Sequence, residues 1–317
     1  MFDLHRLRLL RELKHRGTLA AVASGLSYSP STISQQLSRL ESEVGVQLLE
    51  PAGRCVRLTA QADILVAHTE AVLAQLDQAA AEIAISMVEV TGTVRIASFQ
   101  TAALSLVPAT LELLRDIHPL LHVRIIQMEG ENAVPALMCR DVDLVIDVEY
   151  PRTPRSRHNE LEQEDLCTDT LQLAHLNMPS EAAPQEALRE MAKHPWVMEP
   201  EGTDARCWSM KVCREAGFEP DVRYESADKL VHLALVEQGH AAAFMPSLAW
   251  RGSPPSVPLA PLPSHLETRR LSTAVRQGSG RHPAVQAVRQ ALLHASGENP
   301  NANRAPVGKW DGVAESA

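Results

Sequence analysis

The chain has 317 residues, 45% of them hydrophobic and 22% charged, with a net charge of −9. That length suggests two domains with a small extra module, and the composition excludes global disorder and fibrous arrays. No apolar run approaches the ~18 residues a membrane helix needs, and the charges scattered through the first eight residues do not make a secretory leader. The five cysteines (Cys55, Cys139, Cys167, Cys207 and Cys213) are odd in number and form no CxxC, which fits a reducing cytoplasm better than a disulfide scaffold or structural zinc. Aromatic residues are only 3%, so the core must be built from Leu, Val, Ile and Ala.

The charge is unevenly spread. Residues 1–60 carry eight Lys and Arg against five Asp and Glu, while the remainder carries twenty-two against thirty-four. A small basic head on an acidic body is the asymmetry expected when only one end meets a polyanion.

The spacing of Leu4, Leu7, Leu10 and Leu13 predicts a helix over 3–16, ended by Gly17. Thr18 suits the N-cap of a second helix, Leu19–Leu26. Ser27-Tyr28-Ser29-Pro30 reads as a turn, with Ser29 capping a third helix and Pro30 at its first position. That helix runs to about Glu43 with Ile33, Leu37, Leu40 and Val44 as its apolar stripe. Its other face is Ser31, Ser34, Gln35 and Ser38, and no charge occurs from Pro30 to Ser38. A solvated helix would normally carry Glu and Lys there, whereas short hydroxyls and a Gln suit close approach to base edges and phosphates. Two helices joined by a tight turn, the second with such a face, is the helix-turn-helix pattern; a plain three-helix bundle is the alternative. In Gln47–Thr59, Gly53 makes a turn flanked by Arg54 and Arg57, which reads as a β-wing on the DNA backbone or as a surface hairpin with solvated arginines.

Residues 60–87 predict one long Ala-rich helix. Leu65, Thr69, Val72, Leu76, Ala79, Ile83 and Met87 alternate spacings of 4 and 3, the seam of a coiled coil. Either a second subunit or the rest of the chain covers that seam. Residues 88–92 read as a hinge. Beyond it, strands are expected at 94–97, 122–128, 144–148, 171–176, 196–198, 222–225, 241–244 and 270–275. Helices are expected at about 101–117, 131–139, 184–192, 205–216, 227–237 and 282–294. This alternation implies a parallel α/β sheet. The Pro-rich stretch 251–267 reads as extended and 297–317 as a disordered tail.

The chain to about residue 296 resembles the LysR-type transcriptional regulators. The resemblance is carried by Leu19-Ala20-Ala21-Val22-Ala23, by Ser29-Pro30-Ser31-Thr32-Ile33-Ser34-Gln35-Gln36-Leu37, by Leu40-Glu41, and by Gly45-Val46-Gln47-Leu48-Leu49. Gly53-Arg54-Cys55-Val56-Arg57-Leu58-Thr59 and Gly92-Thr93-Val94-Arg95-Ile96-Ala97 continue it, as do Pro108, Asp143-Leu144-Val145-Ile146, Ala216-Gly217-Phe218-Glu219-Pro220, Leu235-Val236-Glu237-Gln238-Gly239 and Phe244-Met245-Pro246. The chain departs from the family at Pro30-Ser31, where Gln-Pro is common. It departs again at Pro51, usually basic, and at Gln61-Ala62, where Ala-Gly is common. The resemblance implies an α/β protein with a winged-helix head: a winged helix-turn-helix over 1–59, a dimerisation helix and hinge over 60–92, and a two-lobed effector domain of the periplasmic-binding-protein kind over 93–296. Lobe one would be 93–166 plus 268–296, and lobe two 167–267.

The same resemblance implies a cytoplasmic homodimer or homotetramer on duplex promoter DNA, with no membrane partner, no cofactor, no metal and no catalysis. The DNA candidates are Ser31, Thr32, Ser34, Gln35 and Ser38, with Arg39, Arg54 and Arg57 toward phosphates. Gln35 can bond bidentate to adenine, and Arg39 can instead pair with Glu43. The effector candidates are Ser98, Gln100 and Thr101, which open a helix whose free amides suit an anion. Glu129, Asn132, Thr203, Ser226 and Phe244 face the same cleft by family analogy, and each can equally be a cap or a loop residue. The effector expected is an amino acid or an organic acid; Glu129 disfavours a purely anionic ligand and so points to an amino acid or other zwitterion. Two alternatives stand. One is a redox sensor using Cys207 and Cys213, although cysteines six apart on one helix do not face each other. The other is a two-lobed binding protein or enzyme without DNA function, although no nucleophile elbow, phosphate loop or HExxH occurs.

Overall fold

The computed structural model describes residues 2–53, 55–153, 160–177, 183–250 and 253–297. The head opens with α1 (Leu4–Arg16), whose first turn is capped by the Asp3 carboxylate and whose end is turned by left-handed Gly17. Helix α2 (Leu19–Leu26) is capped by the Thr18 hydroxyl, and α3 (Pro30–Val44) by the Ser29 hydroxyl accepting from the Thr32 N–H. Leu9, Leu10 and Leu13 of α1 meet Val22, Ile33, Leu37 and Leu40 in one core. Leu4 is exposed, so the buried stripe of α1 starts one turn later than its leucine spacing suggests. Strands β1 (Leu49–Ala52) and β2 (Cys55–Leu58) form the antiparallel wing. The Glu41 carboxylate on α3 accepts from the N–H groups of Leu48 and Leu49 and ties the wing to the head. Helix α4 (Ala60–Ile85) then runs 26 residues, about 39 Å at 1.5 Å per residue.

The body begins with β3 (Gly92–Ser98), α5 (Gln100–Ser105), α6 (Val107–Ile117), β4 (Leu121–Gln127), α7 (Gly130–Met138), β5 (Leu144–Glu149) and β6 (Leu161–Ala174). It continues through α8 (Pro184–Glu190), β7 (Pro195–Met198), α9 (Asp204–Glu215), β8 (Asp221–Glu225), α10 (Lys229–Glu237) and β9 (Ala243–Pro246). Strands β10 (Leu259–Pro261) and β11 (Thr268–Arg276) and helix α11 (Pro283–Ala295) close it. The large sheet runs β10-β6-β11-β5-β3-β4, with β9 also on β6. Strands β3, β4 and β5 are mutually parallel, but β11 is antiparallel to both β5 and β6. The sheet is therefore mixed, because β11 returns from the far lobe to pair between two earlier strands.

Three differences from the sequence reading have physical causes. The expected helix over 101–117 is two helices, α5 and α6, and Pro108, which lacks an N–H, sits in the first turn of α6. Strand β6 begins ten residues before the expected 171, in a run of acidic residues that alternation alone marks as loop. It becomes a strand because β11 pairs along its whole first part and because Arg289 meets the Glu164 carboxylate. Its last four residues pair with β9 instead, so one strand belongs to both lobes. Within the Pro-rich stretch, Leu259–Pro261 forms a short edge strand, β10. The expected disordered tail lies, from residue 298 onward, outside the described residues.

Candidate DNA surface and effector cleft

The outer face of α3 is exposed at Ser31, Ser34, Gln35, Ser38 and Arg39, with Thr32 half-buried at its start. The Ser29 hydroxyl lies 2.8 Å from both the Ser31 and Thr32 hydroxyls, so the cap also orients the first side chains of that face. Glu43 does not hold Arg39. It pairs with Arg6 of α1, whose Nε also donates to Gln36 at 3.1 Å. Arg39 makes no hydrogen bond or ion pair among the described residues, which leaves a cation beside an uncharged face. On the wing, Arg57 lies opposite Glu50 and its Nε donates to that carboxylate at 2.8 Å. Arg54 lies outside the described residues.

Helix α4 divides into two faces. Ala62, Val66, Thr69, Leu73 and Ala81 are buried against their own chain. Ile64, Val72, Leu76 and Ile83, with Met87 and Val88 just beyond the helix, are exposed, Leu76 to 48% and Ile83 to 68%. The expected seam is thus split: its first residues pack inward, and its later ones form an apolar stripe that one subunit does not cover.

In the body, Ser98 is fully buried and donates to the carbonyl of Phe99 at 3.2 Å. Gln100 reaches across the lobes. Its amide nitrogen donates to Asp228 Oδ1 at 2.5 Å, and its amide oxygen accepts from the Lys229 N–H at 2.7 Å. Gln100 thereby occupies the open end of α10, where orphan N–H groups would otherwise face the cleft. Thr101 is 2% exposed, and its hydroxyl accepts from Arg269 Nη2 at 2.9 Å. Arg269 also pairs with Asp169 at 2.7 Å, donates to the Tyr150 hydroxyl at 3.2 Å and lies 5.2 Å from the centre of the Phe99 ring. Thr101 is therefore engaged by the protein itself.

Glu129 borders a water-sized cavity of about 30 Å³ shared with Glu131, Tyr150, Glu199, Thr203 and Ala227, while Gly130, Glu131 and Asp204 also line a larger one of about 570 Å³ that reaches Lys14 and His15 of the head. Thr203 also caps α9, accepting from the Arg206 N–H at 3.2 Å. Asn132 is exposed on the first turn of α7. The Ser226 hydroxyl accepts from the Asp228 N–H at 3.1 Å, and the Ser226 carbonyl lies 2.7 Å from His232 Nε2. The Phe244 ring packs in the core, 5.0 Å from both Trp196 and Trp208, and only its carbonyl turns to the cleft side, accepting from Lys229 Nζ at 3.0 Å.

Lys229, Glu199 and His232 form a cluster that the sequence reading did not find. Lys229 Nζ pairs with the Glu199 carboxylate and lies 3.4 Å from His232 Nδ1. Burial, then the lysine charge, brings His232 down to about 4, so its ring is neutral at neutral pH. Its Nε2 consequently donates to the Ser226 carbonyl, and Nδ1 is left to accept from the lysine. Burial raises the Glu129 carboxyl, as do the charges of Glu131 and Glu199. A carboxyl raised on folding contributes stability at low pH and loses it as pH rises through the raised value. Glu129→Gln is thus expected to raise the melting temperature at pH 7, with the gain vanishing near pH 4; equal gains at both pH values would rule out this account.

Of the two cysteines raised as redox candidates, Cys213 is fully buried and burial pushes its thiol far up, while Cys207 is exposed on the same helix. A buried high-pKa thiol supplies little thiolate for peroxide attack.

A helix-turn-helix with a wing, a long helix with an uncovered apolar stripe, and two lobes sharing a through-going strand define a DNA-binding regulator with a sensory domain. Residues 4–63 match the model of the bacterial regulatory helix-turn-helix proteins of the LysR family, and residues 88–297 match the LysR substrate binding domain. The chain belongs to the LysR family and is a transcriptional regulator with an effector-binding domain. The transcriptional dual regulator GltC of Bacillus subtilis is 26% identical over 80% of this chain and 83% of its own. A probable hydrogen peroxide-inducible genes activator of Mycobacterium leprae is 25% identical over 90% and 92%. A full-length OxyR variant from Pseudomonas aeruginosa shares the fold with a TM-score of 0.68, at 18% identity, covering 96% of this chain and 99% of that one. Among the described residues, no helix is long and apolar enough to cross a membrane.

Proposed function

We propose that residues 1–59 bind duplex promoter DNA by laying α3 in the major groove. Ser31, Ser34, Gln35 and Ser38 face base edges; Thr32, Arg39, Arg54 and Arg57 face the backbone. Residues 60–92 join two subunits, and two such pairs make a tetramer. A small effector, an amino acid or organic acid, binds between lobe one (93–166 with 268–296) and lobe two (167–267). It shifts DNA binding only through a difference in affinity between open and closed lobes. The protein works in the cytoplasm and catalyses nothing. The observation that carries the DNA assignment is the exposed, uncharged face of α3 beside Arg39, which has no ion-pair partner among the described residues.

The test is selection of genomic fragments by the purified protein across a salt series. Gln35→Ala is expected to weaken the selected site by ~1–3 kcal/mol while leaving unrelated duplexes unchanged. Arg39→Ala should weaken all duplexes alike and lower the salt slope by about one. Binding that is neither salt-sensitive nor sequence-selective would remove the assignment.

A further inference from the structure

The head does not hang free of the body. Arg11 of α1 is 1% exposed although it belongs to the DNA-binding head. It donates to Glu70 of α4 at 2.7 Å, to Glu12 at 3.1 Å and to the Met138 carbonyl at the end of α7. One helical turn and a residue later, Arg16 Nη2 reaches both oxygens of Asp141, at 2.9 and 3.1 Å, and lies 3.5 Å from the Cys139 carbonyl. Arg140, held at φ 59°, completes the junction with a two-pronged bond to Asp77 of α4, both arms 2.9 Å. Three elements thus meet at the C-terminal end of one short helix.

The contact differs in kind from the cores on either side of it. The head core and the lobe cores are apolar, whereas this junction is made of guanidinium groups on carboxylates and helix-end carbonyls. Cavities of about 160 Å³ and 570 Å³ flank it, the larger lined by Lys14 and His15 of α1 and by Val134 and Met138 of α7. Parting this surface returns guanidinium and carboxylate groups to water, which solvates them, and opens neither of the two apolar cores.

The other end of α7 lies in the cleft. Glu129, Gly130 and Glu131 border the cavity between the lobes, and the Glu131 carboxylate accepts from the Asp204 N–H of lobe two at 3.1 Å. Pro135 removes one backbone rung from α7, so the helix is held in place chiefly by Ala133, Leu137 and Met138 packed on the sheet. A nine-residue helix spans only about 13 Å, so a shift at its cleft end reaches its head end.

We propose that α7 is the coupling element of this regulator: the closed cleft holds the head docked through Arg11 and Arg16, and opening the cleft frees the head. This rests on reading the cleft as the effector site, and it adds a route within one subunit by which cleft state sets head position. The chain carries its own reporter. Cys139 is buried in the dock, surrounded by Arg11, Glu12, Arg16 and Asp141, with its thiol pushed up to about 11 mainly by burial.

The experiment is the rate of N-ethylmaleimide addition to Cys139 in the full-length protein, resolved by mass spectrometry, with no effector and no DNA. Arg16→Ala, at the dock, is expected to speed labelling by about tenfold, and Gln100→Ala, which removes the cross-lobe bonds at the far end, by at least about fivefold, the lower range of typical coupling. Cys167 and Cys213, buried in the body core, should keep their slow rates. Arg16→Lys, which keeps a cation within reach of Glu12 and Asp141, should label close to the wild-type rate even if Arg16→Ala loosens the fold. A wild-type Cys139 rate in Gln100→Ala overturns the coupling, and a wild-type rate in Arg16→Ala overturns the dock. Because no effector is added, failure to find a ligand for the cleft would leave either result standing.

Discussion

Leu76→Glu is expected to convert the protein to monomers and to weaken operator binding by roughly 10²–10⁴-fold, the avidity lost when linked half-sites are separated. Leu76 stands at the middle of α4 and is 48% exposed in a single subunit, between Val72 and Ile83 on the same open stripe. The adjoining face of α4 is already spent on its own chain through Val66, Thr69 and Leu73. An apolar stripe from Ile64 to Ile83, about 29 Å long on a helix, is covered by a second copy of itself more readily than by any other surface of this chain. A carboxylate placed there would have to be buried without a partner, which favours separation. Light scattering reads the mass and fluorescence anisotropy the DNA affinity. A variant that stays dimeric and binds DNA like wild type would show that another surface joins the subunits.

The second large effect is expected in the body. Asp169→Ala should destabilise the effector domain by about 3–5 kcal/mol, because it leaves Arg269 charged and buried without its carboxylate. The pair is almost sealed, with side chains 2% and 1% exposed, and Arg269 also serves Thr101 and Tyr150. Replacing both members, Asp169→Leu with Arg269→Met, should recover much of the loss, since no unpaired charge remains. Urea unfolding followed by tryptophan fluorescence reports on the body through Trp196, Trp208 and Trp250, and the head contains no tryptophan. A cost for Asp169→Ala below about 1 kcal/mol would mean that water or Tyr150 satisfies the arginine without it.

Helices α1 to α3 were legible because their information is local. Caps such as Thr18 and Ser29, the stop at Gly17 and the stripe Ile33, Leu37, Leu40 lie within a few residues of what they control. The bare polar face of α3 was equally readable, since a helix period assigns every residue to a side. The body was legible as strands and helices in alternation, but β6 was read only in its last part. Its acidic first part looks like loop until β11, a hundred residues later, lies beside it.

Only the tertiary structure decided which polar groups are free. The sequence placed the Thr101 hydroxyl at the cleft, and folding adds an arginine 168 positions away that donates to its oxygen. It left Arg39 divided between Glu43 and phosphate, and folding brings Arg6, 37 positions from Glu43, to take the carboxylate. It placed Gln100 beside the cleft, and folding spends both its amide atoms on the start of α10. Each N–H or O–H serves essentially one acceptor, so the partners a side chain meets in the fold decide how much of its bonding capacity is left. Which partner arrives first in space depends on how distant segments pack, and a residue's own neighbours in the chain carry no record of that.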